Sequence, residues 1–557
     1  MPFSSPHPAL SIPKCNLLEY LFPSDQTPTD TPIWIDAKDT SQYLTPRSLL
    51  QWTKRLALGL DRIGSKPGEV VMILTPNHIF VPVAYLGIVG SKRVFSGANP
   101  VYTVSEMIYQ VSNTQAQFIL AHPTLAKTAV QAAKGAGLPD GRVFLFSDEP
   151  NSPVEGCRDW REFLPSPAEG DAYKFPVLSE HEATTTKATV NYSSGTTGLP
   201  KGVEVSHYNL IANVEQTIYM KYLNKPWDSK TRPRETWIGF LPLYHAYGQL
   251  YAMAMAQKLQ VPIHIMKKFE YEEFLRVIQQ HKVTHLQVAP PIMVMLSKRP
   301  ETAKYDLSSM TDILCGAAPL SKELQNEISK KLGCEILQGW GMTEVTCGAI
   351  HVPGGSFDDS GSVGQLDPNC ECMLLDDDGK EVSDGQPGEL YVRGPNICLG
   401  YWRNPQATKE AISPDGWLKT GDVAIVKNGW FWIVDRKKEL IKVNALQVAP
   451  AELEAVLLEF DPIADAAAVG ITLDDQEWPR AYVTLKDEYK GKTTAEDIHK
   501  HMKIKVAKHK QLVGGIEFVD EVPKLQSGKI MRKVVKEWAK RDAEKMKTLP
   551  TAPKAKL

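Results

Sequence analysis

The densest chemistry in the sequence lies between positions 187 and 207, KATVNYSSGTTGLPKGVEVSH. A β-branched run over 188–192 feeds a loop of hydroxyls and glycines, Ser193, Ser194, Gly195, Thr196, Thr197 and Gly198, followed at Lys201 by a cation. Glycines let backbone N–H groups turn inward and approach an anion, hydroxyls add donors, and the lysine adds charge. Such a loop is suited to phosphate. It is not the P-loop of nucleotide triphosphatases, because Pro200 stands five residues after Gly195 and no Gly-Lys-Ser/Thr follows.

Further segments supply complementary groups. In QGWGMTE, 338–344, glycines flank Trp340 and let an aromatic face lie close to a flat ring, Thr343 can bond a phosphate oxygen, and Glu344 offers hard oxygen to Mg²⁺. Gly316, Ala317 and Ala318, followed by Pro319, are small enough to admit a ligand ring against backbone. Asp422, after Gly421, is a carboxylate able to accept two neighbouring hydroxyls. His245 follows Leu243 and Tyr244, a setting in which a lone histidine is more often a satisfied core residue than a catalyst. Lys529 follows a small Ser527-Gly528 turn in PKLQSGKIMRK. A cation there could sit between two anions, whose oxygens at about 4 Å repel by several kcal/mol at intermediate dielectric.

YSSGTTGLPKGV closely resembles the signature of the adenylate-forming superfamily, which includes acyl-CoA synthetases, 4-coumarate-CoA ligases, beetle luciferases and peptide-synthetase adenylation domains. The other motifs follow in that family's order: LPLYHAYG (241–248), CGAAPL (315–320), QGWGMTE, GELYVRGPNICLGYW (388–402), WLKTGD (417–422), DRKKELIK (435–442), LQVAPAELE (446–454) and PKLQSGKIMRK (523–533).

The resemblance implies a Mg-ATP-dependent, AMP-forming ligase that activates a carboxylic acid as acyl-AMP and passes it to CoA. By resemblance the loop 193–198, Lys201, Gly316, Ala317, Ala318, Gln338, Gly339, Trp340, Thr343, Asp422 and Arg436 hold the nucleotide, with Trp340 on adenine. Glu344 holds the metal, and Lys529 bridges carboxylate and phosphate. His245 orients the acid, and Tyr247, Tyr251, Gly316, Gly341, Val345, Cys347, Gly348 and His351 line the acyl pocket. Asp435 or Lys438 marks a hinge, Lys442 and Gln447 serve the thiol step, and Lys268 lies near the CoA phosphates. Where plant ligases commonly read Tyr-Lys-Gly after this lysine, the chain has Val443-Asn444-Ala445, so Asn444 and Ala445 face the CoA path with less charge and less room. The glycines at 341 and 348 and the small Cys347 suggest room for an aromatic or medium-length acid. Two alternatives stay open, a luciferase-like oxygenase and a stand-alone adenylation enzyme that charges a carrier protein.

The elements that must position these groups read as α/β with a largely parallel sheet, because strand-like runs such as EVVMILTP (69–76) and AQFILAHP (116–123) alternate with helical stretches. One such stretch, 45–64, has Thr45 as N-cap, Pro46 at the first helical position and Gly64 closing the far end. From Gly354 the texture changes to short β runs separated by Gly, Asp and Pro, consistent with hairpins or a small barrel. After Asp435 helix and strand return. The expected organisation is a large N-terminal adenylation domain, 1–434, of packed α/β subdomains plus a small β-barrel. A hinge at 435–438, a small mobile α+β C-terminal domain at 439–550 and a tail at 551–557 follow.

The 557 residues include 63 Lys+Arg against 65 Asp+Glu, a balance that disfavours nucleic acid as a general partner. Eight cysteines without a CxxC pair fit a reducing compartment. The N-terminus lacks the pattern of a secretory signal, and the apolar stretch 79–90 falls short of the roughly 20 residues that cross a bilayer. The chain stops at Ala555-Lys556-Leu557, a variant of the Ser-Lys-Leu peroxisomal address, which implies the peroxisomal import receptor as a partner, with the cytoplasm as the fallback location.

Overall fold

The computed structural model describes residues 2–193, 199–227, 231–443, 446–473, 476–525 and 528–548. Ser194, Gly195, Thr196, Thr197, Gly198, Asn444, Ala445, Ser527 and the C-terminal Ala555-Lys556-Leu557 lie outside the described residues.

Two largely parallel sheets form the body of the protein. Among the described residues, an eight-stranded sheet centres on Lys187–Ser193, Val94–Ala98, Val70–Leu74, Phe118–Ala121 and Val143–Leu145, and a nine-stranded one on Glu335–Trp340, Asp312–Cys315, His285–Val288, Trp237–Gly239, Ile263–Ile265 and Trp34–Asp36. Their strands are buried on both faces and therefore read as continuous apolar runs, such as Val70–Leu74, every residue of which is buried. The helix Pro46–Arg62 starts where Thr45 caps it, its side chain accepting from the Ser48 N–H, and Gly64 follows at φ +83°.

The Gly/Asp/Pro-rich stretch forms a five-stranded antiparallel sheet, Phe3–Ser4, Glu371–Leu375, Pro387–Arg393, Leu418–Lys427 and Trp430–Arg436 in that spatial order. Its first strand comes from the N-terminal segment, a pairing that no local pattern announces. Beyond it, residues 441–543 build a separate apolar core around the hairpin Ile463–Leu473 and Gln476–Leu485, with the helices Pro450–Glu459, Ala495–Lys505 and Arg532–Thr548 beside it. Among the described residues no helix is long and apolar enough to cross a membrane.

Candidate active site

In open parallel sheets, ligands bind beyond the carboxyl ends of the strands. Lys187–Ser193 delivers Ser193, Asp312–Cys315 runs into Gly316, Ala317 and Ala318, and Glu335–Trp340 runs into Gly341. A Cβ added at Gly316 would stand 3.7–3.8 Å from the Tyr247 ring and hydroxyl, and Ala317 holds a left-handed φ of +71°. Ser193 Oγ and the Tyr401 hydroxyl both donate to Glu344 Oε1, at 3.3 and 2.8 Å, which fixes this buried carboxylate beside the end of the strand Lys187–Ser193.

His245 is placed by its own loop. Asn77 binds that loop from both sides, accepting from the Leu243 N–H and donating to the Leu241 carbonyl, both at 2.9 Å. Gly248 permits the tight return, since a Cβ there would stand 2.4 Å from the Pro242 carbonyl oxygen. His245 caps the short helix Ala246–Gly248, and its Nδ1 accepts from the Tyr247 N–H at 3.5 Å, which leaves the proton of the neutral ring on Nε2. Burial, reinforced by the charge of Lys529, pulls the imidazole pKa down to about 4, so the ring is neutral at physiological pH. His245 and Thr343 face one cavity together with Asn99, Tyr102, Asn191 and Tyr192.

Tyr247 sits in the short helix Ala246–Gly248 and Tyr251 in the π-helix Gln249–Met255 that follows it, the kind of local irregularity that often marks a site. Their rings meet edge to face at 5.1 Å.

Lys529 reaches this cleft from the C-terminal module. Its loop is seated by Gly528, at φ +83°, where an added Cβ would fall 2.6 Å from Pro291 Cγ. Burial and the neighbouring Arg436 lower the ammonium's pKa, while Asp422, Glu344 and Cys347 oppose that effect. The lysine therefore sits within electrostatic reach of the carboxylates of Asp422 and Glu344 and acts in turn on His245.

The nucleotide-side residues are arranged less simply than the motif suggests. Trp340 is only 6% exposed and its indole N–H donates to Asp422 Oδ2 at 2.8 Å, which leaves little of the ring for stacking. Arg436 Nε stands 3.3 Å from Asp422 Oδ1, so both oxygens of Asp422 are engaged. Gln338 turns its amide inward, donating to Gln325 Oε1 at 2.6 Å and to the Leu320 carbonyl at 3.3 Å. Gly339 packs against His351 on the neighbouring strand. Lys201 is exposed and lies over the Tyr401 ring at 4.9 Å.

Other expected residues stand apart from the Lys529 cleft. Lys442 and Gln447 are cross-strand partners in the hairpin Ile441–Val443 and Leu446–Val448, both exposed, and Lys442 acts electrostatically on Asp377. Lys268 is 82% exposed at its side chain and pairs loosely with Glu270 at 3.9 Å. Asp435 is buried, accepting from its neighbour Arg436 N–H at 2.7 Å and from Ala451 N–H at 3.1 Å, and burial raises its pKa. Lys438 is exposed, two residues after the strand end at Arg436. Val345 is fully buried, whereas Cys347 keeps partial exposure beside the cleft.

Two participants escaped the sequence reading. Tyr401 sits inside the quoted GYW run and would be found only by asking what holds Glu344. Asp367 belongs to no motif, yet it binds His351 Nδ1 at 2.8 and 3.0 Å.

Comparison with known proteins accounts for this arrangement. Residues 23–402 match the family model of the AMP-binding enzymes, and residues 452–529 match that of the AMP-binding enzyme C-terminal domain. The chain is 33% identical to an acyl-CoA ligase, azaF, of Aspergillus niger over 95% of its length and 99% of the relative's. It is 34% identical to a phenylacetyl-CoA ligase, epaB, of Aspergillus niger, covering 96% and 98%, and 31% identical to a probable 4-coumarate–CoA ligase of Dictyostelium discoideum, covering 96% and 97%. In fold it matches an anthranilate CoA ligase, AuaEII, in complex with anthranoyl-AMP, with a TM-score of 0.82 at 22% identity over 96% of this chain and 99% of that one. It matches ATP-bound MatB from Rhodopseudomonas palustris with a TM-score of 0.81 at 24% identity over 95% and 99%. With both family models matched in order along the chain and relatives of 31–34% identity covered almost end to end, the chain belongs to the AMP-binding enzyme family.

Proposed function

We propose that this protein is an ATP-dependent, AMP-forming acyl-CoA ligase acting on an aromatic or medium-length carboxylic acid. The observation that carries the reading is Lys529, brought from the C-terminal module into the same cleft as His245, Glu344 and Asp422. A carboxylate must attack the α-phosphorus of another anion, and the ammonium placed between them offsets the repulsion as the new P–O bond forms and pyrophosphate leaves. The neutral His245 donates its Nε2–H to the acid and aims its oxygen. Arg436 and Trp340 hold Asp422 for the ribose hydroxyls.

Glu344 fits the metal of Mg-ATP, since Mg²⁺ binds through one or two carboxylates plus substrate phosphates and needs no all-protein cage. When bound, the ion neutralises charge on the phosphates.

The thiol step uses the other face of the small domain. Lys442 and Gln447 stand ready on an exposed hairpin, and rotation at 435–438 after pyrophosphate release would exchange them for Lys529. Lys268, exposed and weakly paired, is free to meet a CoA phosphate. The terminal Ala555-Lys556-Leu557 supports a peroxisomal location, tested by comparing a tagged full-length protein with one lacking these three residues; equal diffuse distribution would refute it.

Acid-dependent pyrophosphate release from ATP, run with and without CoA over hydroxycinnamates, arylacetates, benzoates and C4 to C16 fatty acids, tests the main reading. Turnover needing both acid and CoA is expected. Adenylate formation that CoA fails to turn over would point instead to a carrier protein or to oxygen as acceptor.

A further inference from the structure

The acyl pocket can be followed inward from the reaction centre. Lys529 acts electrostatically on Cys347, and Cys347 is acted on in turn by Asp367. Tyr251 feels Tyr247, Cys347 and Asp367. Tyr247 and Tyr251 meet edge to face at 5.1 Å, His351 is hydrogen-bonded to Asp367, and these groups lie within electrostatic reach of Cys347 and, through it, of Lys529. The N-terminal segment packs beside Asp367, with Ser5 Oγ donating to the Leu366 carbonyl at 2.9 Å and Leu10 N–H to Asn369 Oδ1 at 2.8 Å.

This cluster is polar at His351 and Asp367 although Tyr247 and Tyr251 are aromatic. Asp367 has no exposed surface, and both its carboxylate oxygens meet His351 Nδ1. The pair fixes the ring with Nδ1–H toward the carboxylate, and 9% of the imidazole side chain stays accessible. Glycines clear its edges: a Cβ at Gly348 would lie 2.5 Å from Cε1 and 2.8 Å from Nε2, and one at Gly339 would lie 3.0 Å from Cδ2. Among the described residues the buried Tyr251 hydroxyl has no hydrogen-bond partner, while the His351 ring meets Asp367 through Nδ1. A buried polar group without a partner is uncommon and calls for one.

We propose that His351, held by Asp367, selects acids bearing a hydroxyl at the end remote from their carboxylate; this rests on the ligase reading above. A hydroxyl both donates and accepts, so it meets Nε2 in either protonation state. A methoxy group can only accept, and a second carboxylate would face the charge of Asp367. Asp367 is a positioning residue, acting through His351.

The test uses the full chain and acid-dependent AMP formation in the presence of CoA. The acids are 4-hydroxycinnamate, 4-methoxycinnamate and cinnamate, and in parallel 4-hydroxyphenylacetate and phenylacetate. The hydroxylated member of each set is expected to be favoured by about tenfold or more in kcat/KM, chiefly through KM, because its absence leaves the pocket's polar groups unpaired. In His351→Leu and Asp367→Asn that ratio falls toward one, and His351→Gln, which keeps a hydrogen-bonding group, restores part of it. A purely structural role would lower all acids together and leave the ratio unmoved. A wild-type ratio near one in both sets, or a wild-type ratio surviving in His351→Leu, overturns the inference. Should either variant fail to fold, the wild-type ratios decide alone. Turnover of fatty acids with none of these aryl acids overturns the inference and leaves the ligase reading intact, whereas no acid-dependent AMP from any acid overturns both.

Discussion

At the residue scale, the proposed ligase reaction divides its two half-reactions between Lys529 and Lys442. Lys529→Ala should slow acyl-adenylate formation by about 10²- to 10³-fold, the usual loss for a contact made in the transition state, while a premade adenylate is still converted to thioester. Lys442→Ala should show the opposite pattern. Single-turnover assays of the two half-reactions check this, and equal loss of both steps in Lys529→Ala would contradict it. The histidines give a second expectation. Burial holds His78 and His207 near a pKa of about 3, and His245 and His264 near about 4, against 6.5 in the unfolded chain. The unfolded state then binds more protons in this range, so stability is full above about pH 6.5 and falls as pH drops toward 4. Thermal melts from pH 7.5 to 4.5 should show a flat Tm above pH 7 and a steep decline below pH 6; a Tm unchanged down to pH 5 would contradict the burial argument.

Lys529, Glu344 and Asp422 were legible in the sequence because each follows a short motif whose composition states its chemistry. Tyr401 and Asp367 were not, since their roles come from partners 57 and 16 residues away that only the fold brings near. Nor could the indole N–H of Trp340 be read as bound to Asp422, 82 residues on.

At the scale of elements, turns and glycines set the geometry. Gly528 seats the Lys529 loop in a left-handed conformation against Pro291. Gly528→Ala combines an unfavourable φ, worth about 1–2 kcal/mol, with a steric conflict, and should cost about tenfold or more in adenylation while sparing the thiol half-reaction. Unchanged adenylation would show that the loop is not held there. The parallel strands were readable from their apolar runs and the helix 46–62 from its Thr45 and Pro46 start. The π-helix at Gln249–Met255 was not, because no residue type announces it. The pairing of Phe3–Ser4 with Cys372 and Glu371 joins positions too distant for any local signal.

At the scale of the whole molecule, the small domain is docked with its lysine inward. Lys298, in the helix Pro290–Lys298, donates to the Leu458 carbonyl in the last turn of Pro450–Glu459 and to the Ile463 carbonyl at the start of Ile463–Leu473, tying the two domains together. Lys298→Ala removes a charged hydrogen bond and should lower the ratio of adenylation to thioester formation by about three- to tenfold. Parallel half-reaction rates check it, and an unchanged ratio would mean that this contact does not bias the domain orientation. The central claim is that the acid's own oxygen attacks the α-phosphorus of ATP. With an acid labelled by ¹⁸O in both carboxylate oxygens, turnover with ATP and CoA should deliver one label to AMP and leave the other in the thioester carbonyl. AMP without label, or label appearing in inorganic phosphate beside ADP, would contradict the account.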